Sequence, residues 1–503
     1  MRTALSDRWT RAGYLLLGLV LVVWAVLVTA RHGWAGDMRL HLGTVHGLVR
    51  HPLSAADPLV GSVRGSPYYS PYMVVLAAVS KVTGITPLGV LELAGPVNLV
   101  FWLWALRRFC RHLGPGPLLP ALVVVFTLLL WGLRPRDWSG FLSLYSLSWT
   151  MAYPSVFGTA LMFLAWDVQL RRRDRPADLA LTVTLGLLMA LLVLIHPFTA
   201  LNALLGLLAF TRRSMLASWQ LWAGAALALV LALLWPWSDV TELFGAAGGL
   251  SGIHLDLILD LGRSWGFAHY GLALVGLPAL VTGLSRPLGR ELIILFAAAV
   301  AVIGLGAAAG AYGLARMIPV AVLPLHLALA SYLATAKPWH RRAAAWRGRV
   351  CVLVTVVACA AGLFGNAGGL LRAWWLPVSA ATLAAWDTRN PQTRYDALLP
   401  EIKPGAVVLV ERTWVGRMVN SRGAYSVVPA WPYPFVDEAA RRRDSAAFFG
   451  ARTGVARRMA IADRYRVTCV LARRRSAVLR PGALVGFRVR TPVPHHAVRL
   501  ACR

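Results

Sequence analysis

Charge is scarce in this chain, and acidic charge is scarcest. Asp, Glu, Lys and Arg make up 14% of the 503 residues, and 21 acids face 51 Lys and Arg. A soluble protein of this length needs a far more polar surface, so a free globular chain is excluded. Lysine is almost missing: Lys81, Lys337 and Lys403 are the only ones, so nearly all of the net charge of +30 rests on Arg. Cysteine is sparse too. Cys110, Cys351, Cys359, Cys469 and Cys502 form no CxxC pair and no metal-ligand spacing. Gly-rich phosphate loops, a Ser-His-Asp order and a dinucleotide fingerprint are all lacking, which excludes the common soluble nucleotide-dependent enzymes. No internal repeat and no low-complexity stretch is present.

What the chain has is apolar length. Hydrophobic residues make up 58% of it, and its mean hydropathy is +0.61. Runs near the length needed to cross a bilayer recur from residue 13 to residue 370. From 385 to 503 the composition turns polar and mixed. The chain therefore divides into a membrane module, residues 1–380, and a tail domain, residues 385–503. The first run, 13–30, follows Arg2, Arg8 and Arg11. It is long for a cleaved signal and no small-residue cleavage site follows it, so it reads as a retained span.

Eleven spans are expected, at 13–30, 89–106, 117–133, 151–168, 178–195, 197–211, 218–235, 267–284, 291–310, 317–335 and 350–370. This count places the clusters at Arg2/Arg8/Arg11, Arg107/Arg108/Arg111, Arg171–Arg173/Arg175, Arg212/Arg213, Arg286/Arg290 and Arg341/Arg342/Arg347/Arg349 on one side, the cytoplasm. The tail then lies outside. Because the cations sit between apolar runs, they orient the chain in a membrane, and nucleic acid is not a partner. The apolar segment 71–83 is too short to span and reads as an interfacial helix on the outer face. That makes a long first outer loop, 31–88, with two further long outer loops at 134–150 and 236–266. Function is expected there. In the tail, Val407–Val410 and Val467–Leu471 are strand candidates, and 437–449 and 455–464 have helical spacing, which suggests a small α/β unit. Cys469 and Cys502 fall in this tail. A disulfide between them and two free thiols are both compatible with the sequence.

The first outer loop opens with Gly36-Asp37-Met38-Arg39-Leu40-His41, a carboxylate just beyond the first span. Leu40, Val45, Leu48 and Val49 then suggest an amphipathic helix along the interface. Asp57-Pro58 and Ser66-Pro67-Tyr68-Tyr69-Ser70-Pro71-Tyr72 follow. This arrangement resembles the GT-C superfamily of integral-membrane glycosyltransferases, such as the aminoarabinose transferases and protein O-mannosyltransferases. The shared plan is a first span, an acid outside it, juxtamembrane helices, a Pro/Tyr-rich entry to a short apolar helix, many spans and an extracytoplasmic domain. As architecture the likeness covers the whole chain; as motif it covers 36–95. Those families often carry a pair of acids at this place, whereas here Met38 follows Asp37.

The resemblance implies a helical polytopic membrane protein with a small C-terminal extracytoplasmic α/β domain, in the plasma (inner) membrane with its N-terminus cytoplasmic. It implies transfer of a sugar from a polyprenyl-phosphate donor to a glycan, lipid or protein acceptor. Asp37 is the expected general base for the acceptor hydroxyl. A lipid-phosphate leaving group needs a cation held at membrane depth, and Arg316, at the mouth of a late span in Gly310-Ala311-Tyr312-Gly313-Leu314-Ala315-Arg316, is expected to supply it. A helix-anchoring Arg has the same pattern. His196, His41, Tyr69, Tyr72 and Tyr312 are the other substrate-contact candidates. Each has a packing role as its alternative. Trp138, Tyr145, Trp149 and Tyr153 suit either a sugar or prenyl surface or an interfacial aromatic belt. Asp37 with His41 and His46 departs from a spaced zinc signature, so no metal is assigned and no cofactor is called for, although a divalent cation fits the chemistry. A lipid flippase or transporter and a non-catalytic envelope scaffold are the competing functions. The run Ala430-Trp431-Pro432-Tyr433-Pro434-Phe435 is expected either to cover a cleft or to pack as a loop.

Overall fold

The computed structural model describes residues 2–30, 36–63, 65–175, 177–242, 247–262, 265–335, 342–374, 398–490 and 498–503. The expected domain boundary at 380–385 and Arg341 lie outside these residues. The chain forms two compact units. The first is built from residues 1–35, 92–234 and 251–376, the second from 36–91, 235–250 and 377–503.

Every one of the eleven apolar segments carries helix. Five helices are long and apolar enough to cross a membrane: Ala12–Thr29, Pro87–Cys110, Gly289–Ala308, Tyr312–Ala334 and Gly348–Gly365. Two more candidates are bent pairs, Leu144–Thr150 with Pro154–Arg172 at 119° and Ser251–Leu261 with Gly266–Thr282 at 93°. Leu119–Leu129, Leu179–Ile195, Pro197–Phe210 and Trp219–Leu233 are apolar but shorter than 18 residues. The eleven segments are thus helical, while their lengths alone qualify five, or seven with the bent pairs. In the first unit Ile318–Ala334 is central and mostly buried. The helix Arg2–Thr29 leaves Leu15, Leu16, Leu19, Val20 and Val23 exposed, as a lipid-facing helix does. Small residues let the helices touch: a Cβ on Gly206 would fall within the Trp166 ring, whose Nε1 donates to the Ala203 carbonyl at 2.9 Å.

In the second unit, Pro71–Thr83 is a 13-residue helix with the boundaries expected of it. Ser70 caps its start by accepting from the Met73 N–H, Pro71 fits the first turn, and Gly84 ends it at φ 74°. Val75, Val79 and Val82 stay exposed on one side. The preceding helix, Met38–Arg50, differs from expectation. Its apolar stripe does not lie open at an interface, because Leu40, Val45 and Leu48 are buried. Gly43 permits this, since a Cβ there would collide with the Asn420 carbonyl of the short helix Gly416–Ser421.

The tail is α/β, as its spacing suggests. Five strands, β1 (Val407–Val410), β2 (Tyr425–Ser426), β3 (Cys469–Arg473), β4 (Arg488–Arg490) and β5 (Val498–Cys502), form one sheet in the order β2-β1-β3-β5-β4. β1 runs parallel to β2 and β3, while β5 is antiparallel to β3 and β4. The helices Glu438–Phe449 and Val455–Arg464 pack beside it. Cys469 and Cys502 face each other across β3 and β5 and are joined as a disulfide.

Asp57 ties the segment 36–91 to this tail. It is fully buried. One carboxylate oxygen accepts from the N–H groups of Leu59 and Val60 at 2.9 and 3.1 Å, and the other accepts from the Tyr433 hydroxyl. The Leu59 carbonyl in turn accepts from the Ser426 N–H at 2.8 Å and the Asn420 side chain at 2.9 Å. Leu40, Leu59, Val60, Ala430, Trp431 and Tyr433 close into one core, so the aromatic run 430–435 is a packed segment. Asp57→Ala should therefore leave two N–H groups and a buried phenol without an acceptor. A loss of about 2–4 kcal/mol is expected, read as faster proteolysis of the tail at unchanged insertion. Equal protease resistance in the variant would refute this role.

Candidate active site

In the first unit the polar side chains gather around Arg316. The residue lies in the 3₁₀ turn Tyr312–Met317 that leads into Ile318–Ala334, and it is only 7% exposed. Its guanidinium stands over the rings of Trp138 and Phe198, each 5.2 Å from ring centre to charge. It also donates to the Ser139 carbonyl. Two aromatic faces and a carbonyl hold the cation at a depth where an exposed Arg would turn to water.

His196 is fixed beside it. Pro197 starts a helix that runs to Phe210, and His196 caps that helix with its side chain. Nδ1 accepts from the Thr199 N–H at 3.2 Å and lies 2.7 Å from the Thr199 hydroxyl. A nitrogen that accepts from a backbone N–H presents a lone pair, so the neutral ring carries its proton on Nε2. The cap therefore sets the tautomer and leaves an N–H donor on the far side of the ring. His254 packs between Trp138 and Phe198, tilted against the first and edge-on to the second, with centroids at 5.4 and 5.3 Å. Ser139 donates to Ser155 at 2.8 Å. Gly140, at φ 85°, is where these parts converge: a Cβ there would lie 3.8–3.9 Å from Arg316 Nη2, His196 Cε1 and Ser155 Cβ. It also borders a small cavity lined by Thr127, Thr159, Asn202, Pro319 and His326. A caged guanidinium beside a tautomer-fixed imidazole is an arrangement that stabilises an anionic oxygen.

Tyr312 joins the site through its backbone. Its N–H donates to the Ser251 hydroxyl at 2.8 Å, and that hydroxyl donates to the Gly310 carbonyl at 2.8 Å, which pins the turn that carries Arg316. The Tyr312 ring is half-buried.

The second unit places Asp37 at the start of Met38–Arg50. Asp37 is half-buried and makes no capping bond with its side chain, so its carboxylate is not used up by the helix end. The helix N-terminus favours its negative charge. His41 follows one turn later, is buried, and senses the Asp37 charge. Burial pushes the His41 pKa down to about 4, outweighing the opposing pull of Asp37, so the ring is neutral at pH 7.

Tyr69 and Tyr72, expected at the substrate, are core residues of this unit. Tyr69 is fully buried; its hydroxyl donates to the Ala56 carbonyl and its own carbonyl accepts from Trp235 Nε1 at 2.8 Å. Tyr72 is buried in the first turn of its helix. The aromatic-rich loop thus serves packing. Of the rings around Arg316, Trp138 was visible in the sequence as an aromatic but without its cation, Phe198 was not singled out, and His254, which packs against both, stood in the long loop 236–266 without being chosen. They come from segments more than fifty residues apart and meet only in the folded unit.

No family model matches the chain, and no curated protein matches it in sequence. Solved structures do match its fold. The arabinofuranosyltransferase AftD from Mycobacteria aligns over 98% of this chain with a TM-score of 0.55 and 15% identity. This chain spans only 40% of AftD's length. ArnT from Cupriavidus metallidurans bound to undecaprenyl phosphate aligns over 97% of this chain and 98% of its own, with a TM-score of 0.54 and 13% identity. Its apo state aligns over the same shares at 14% identity. The chain has the GT-C fold of integral-membrane glycosyltransferases.

The buried imidazole near Asp37 sets a pH dependence. The His41 pKa in the folded unit, about 4, lies below the ordinary value of 6.5. Folding therefore holds its full His41 contribution above pH 6.5 and loses it as pH falls toward 4. His46 is lowered to about 4 by burial and by Arg50 and Arg422, so it adds in the same window. His41→Gln should flatten, though not abolish, the fall in thermal stability between pH 6.5 and 4. An unchanged slope would show that His41 does not titrate in this way.

Proposed function

We propose, from the GT-C fold and the Arg316 cage, that this chain transfers a sugar from a polyprenyl-phosphate carrier to an acceptor hydroxyl on the extracytoplasmic side of the membrane. The observation that carries this reading is the buried guanidinium of Arg316. A guanidinium held by two rings and a carbonyl at the mouth of a mostly buried helix is placed to meet an anionic group. A prenyl phosphate supplies a charged group on an apolar tail, and that combination suits a cation at membrane depth. The ArnT structure named above contains undecaprenyl phosphate.

The reaction is a displacement at the anomeric carbon. The bond from that carbon to the phosphate oxygen breaks, and the bond to the acceptor oxygen forms. The leaving phosphate takes up negative charge, which Arg316 and the His196 Nε2–H stabilise. The acceptor proton passes to the Asp37 carboxylate as general base. A single displacement by an activated hydroxyl inverts the anomeric centre. A hexose or pentose donor fits this scheme, with an envelope glycan, lipid or protein as acceptor.

Two features support an outward-facing site. The disulfide of Cys469 and Cys502 suits an oxidising compartment and so a tail outside the cytoplasm. Within the first unit, Arg108, His112 and Arg171 converge on Asp167 at the ends of Pro87–Cys110 and Pro154–Arg172. Arg173 pairs with Glu291 near the start of Gly289–Ala308. Basic helix ends gathered in this way mark the cytoplasmic side.

The test is mass spectrometry of envelope glycans from cells carrying the wild-type chain, Asp37→Asn or Arg316→Gln at equal membrane levels. Asp37→Asn should cut product on the order of 100-fold or more. Arg316→Gln should cut it at least tenfold. Full glycosylation in the Asp37→Asn strain would remove this mechanism. Lipid movement without sugar transfer in liposomes would favour a flippase.

A further inference from the structure

A second polar centre lies in the first unit, at the bend between Ser251–Leu261 and Gly266–Thr282. Asp260 stands before the bend, and His269 and Tyr270 after it. An irregular stretch of chain, residues 131–136, is bonded against the second arm. The Leu272 N–H donates to the Trp131 carbonyl and the Arg134 N–H to the Ala268 carbonyl, both at 3.0 Å. His269 Nδ1 donates to the Arg134 carbonyl. Gly132 makes this possible, because a Cβ there would collide with the Ala268 carbonyl. The stretch delivers Arg136 to an ion pair with Asp260, and His269 Nε2 lies 3.8 Å from the same carboxylate oxygen.

Tyr270 is the unexplained member. It is 8% exposed, packed near Trp131 and Phe141. Its hydroxyl is buried and has no hydrogen-bond partner among the described residues. A buried phenol normally finds one. The same hydroxyl lies within electrostatic reach of Asp260, Arg136 and also Arg316.

We propose that this cluster is the seat of the donor's sugar ring: the Tyr270 hydroxyl bonds a ring hydroxyl, and Arg136, Asp260 and His269 form the polar wall around it. The ring it takes is neutral, with hydroxyls and no amino substituent. Asp260 is already claimed by Arg136 and His269, so an ammonium group would gain little from it and would meet two guanidinium charges. A hydroxyl meets no such penalty and satisfies Tyr270. This inference rests on the reading that Arg316 holds the carrier phosphate.

The experiment measures binding to the purified full-length chain in nanodiscs. Three probes are compared: undecaprenyl phosphate, undecaprenyl phosphate bearing a neutral pentose, and the same lipid with one pentose hydroxyl replaced by an amine. The wild type should bind the neutral sugar lipid more tightly than the bare carrier, and the amino sugar lipid no more tightly than the carrier. Tyr270→Phe should lower affinity for the neutral sugar lipid about tenfold and leave the bare carrier within twofold. Because the hydroxyl has no hydrogen-bond partner among the described residues, the variant should be at least as heat-stable as the wild type, so misfolding is a readable outcome. Equal effects of Tyr270→Phe on carrier and sugar lipid, no effect on either, or equal binding of the amino sugar lipid would overturn the proposal. Carrier binding that Arg316→Gln leaves unchanged would overturn the carrier reading itself. Carrier binding lost in Arg316→Gln, with sugar discrimination untouched by Tyr270→Phe, would sink the sugar seat alone.

Discussion

A guanidinium held at depth is the constraint that organises the first unit. Arg316 is removed from water, and a charge so placed must be compensated on every side. The compensation is assembled from three separate segments. Residues 138–140 give a ring, a carbonyl and a glycine; the start of Pro197–Phe210 gives Phe198 and the His196 cap. The stretch near Ser251 gives the hydroxyl that pins the Arg316 turn, and His254 fills the space between the two rings. None of these contacts is strong alone. Together they fix one orientation of the cation, which is what a site for a developing phosphate charge requires.

The second unit solves a different problem by the same means. Its first segment, 36–91, carries Asp37 but cannot form a core by itself. Asp57 and the Leu59 carbonyl recruit partners from 420–433, some 360 residues later in the chain. The amphipathic stripe of Met38–Arg50 is buried there and not against lipid. The tail domain is thus part of what shapes the segment bearing the carboxylate. A tail bound in this way has a structural duty beyond any contact with an acceptor.

Much of the fold was legible because its signals are local. The short helix 71–83 is bounded by Ser70-Pro71 and Gly84, and those residues set its ends through caps that depend on neighbours alone. The tail strands at 407–410 and 469–473 sit near the expected ranges, since apolar runs flanked by turns declare themselves. Span lengths were less legible. Four of the apolar runs form helices shorter than 18 residues, and the two bent pairs break at or just before the start of the runs 151–168 and 267–284. Of the site, Arg316 and His196 were visible as ionisable groups at helix ends, and the structure brings them together. Tyr69 and Tyr72 are buried in the second unit, a placement the sequence left open because tyrosines in a Pro-rich loop look the same whether they face a ligand or a core. Phe198, Gly140 and Tyr270 could not be found from sequence, because their roles exist only in relation to residues distant along the chain.

Both bent helix pairs show how such a fold obtains polar groups inside an apolar unit. Where a helix stops, its backbone groups lose their internal partners and must be satisfied by other parts of the protein. At the bend near 151–153, the buried Asn98 amide donates to the Met151 carbonyl at 3.0 Å, and Ser155 just beyond it meets Ser139 beside Arg316. On the arm that follows the second bend, the stretch 131–136 pairs with Ala268 and Leu272 and brings Arg136 to Asp260. Polar side chains thus meet beside both breaks, Ser155 with Ser139 at one and Arg136 with Asp260 at the other, where a chain leaves the regular helix and irregular backbone packs against it.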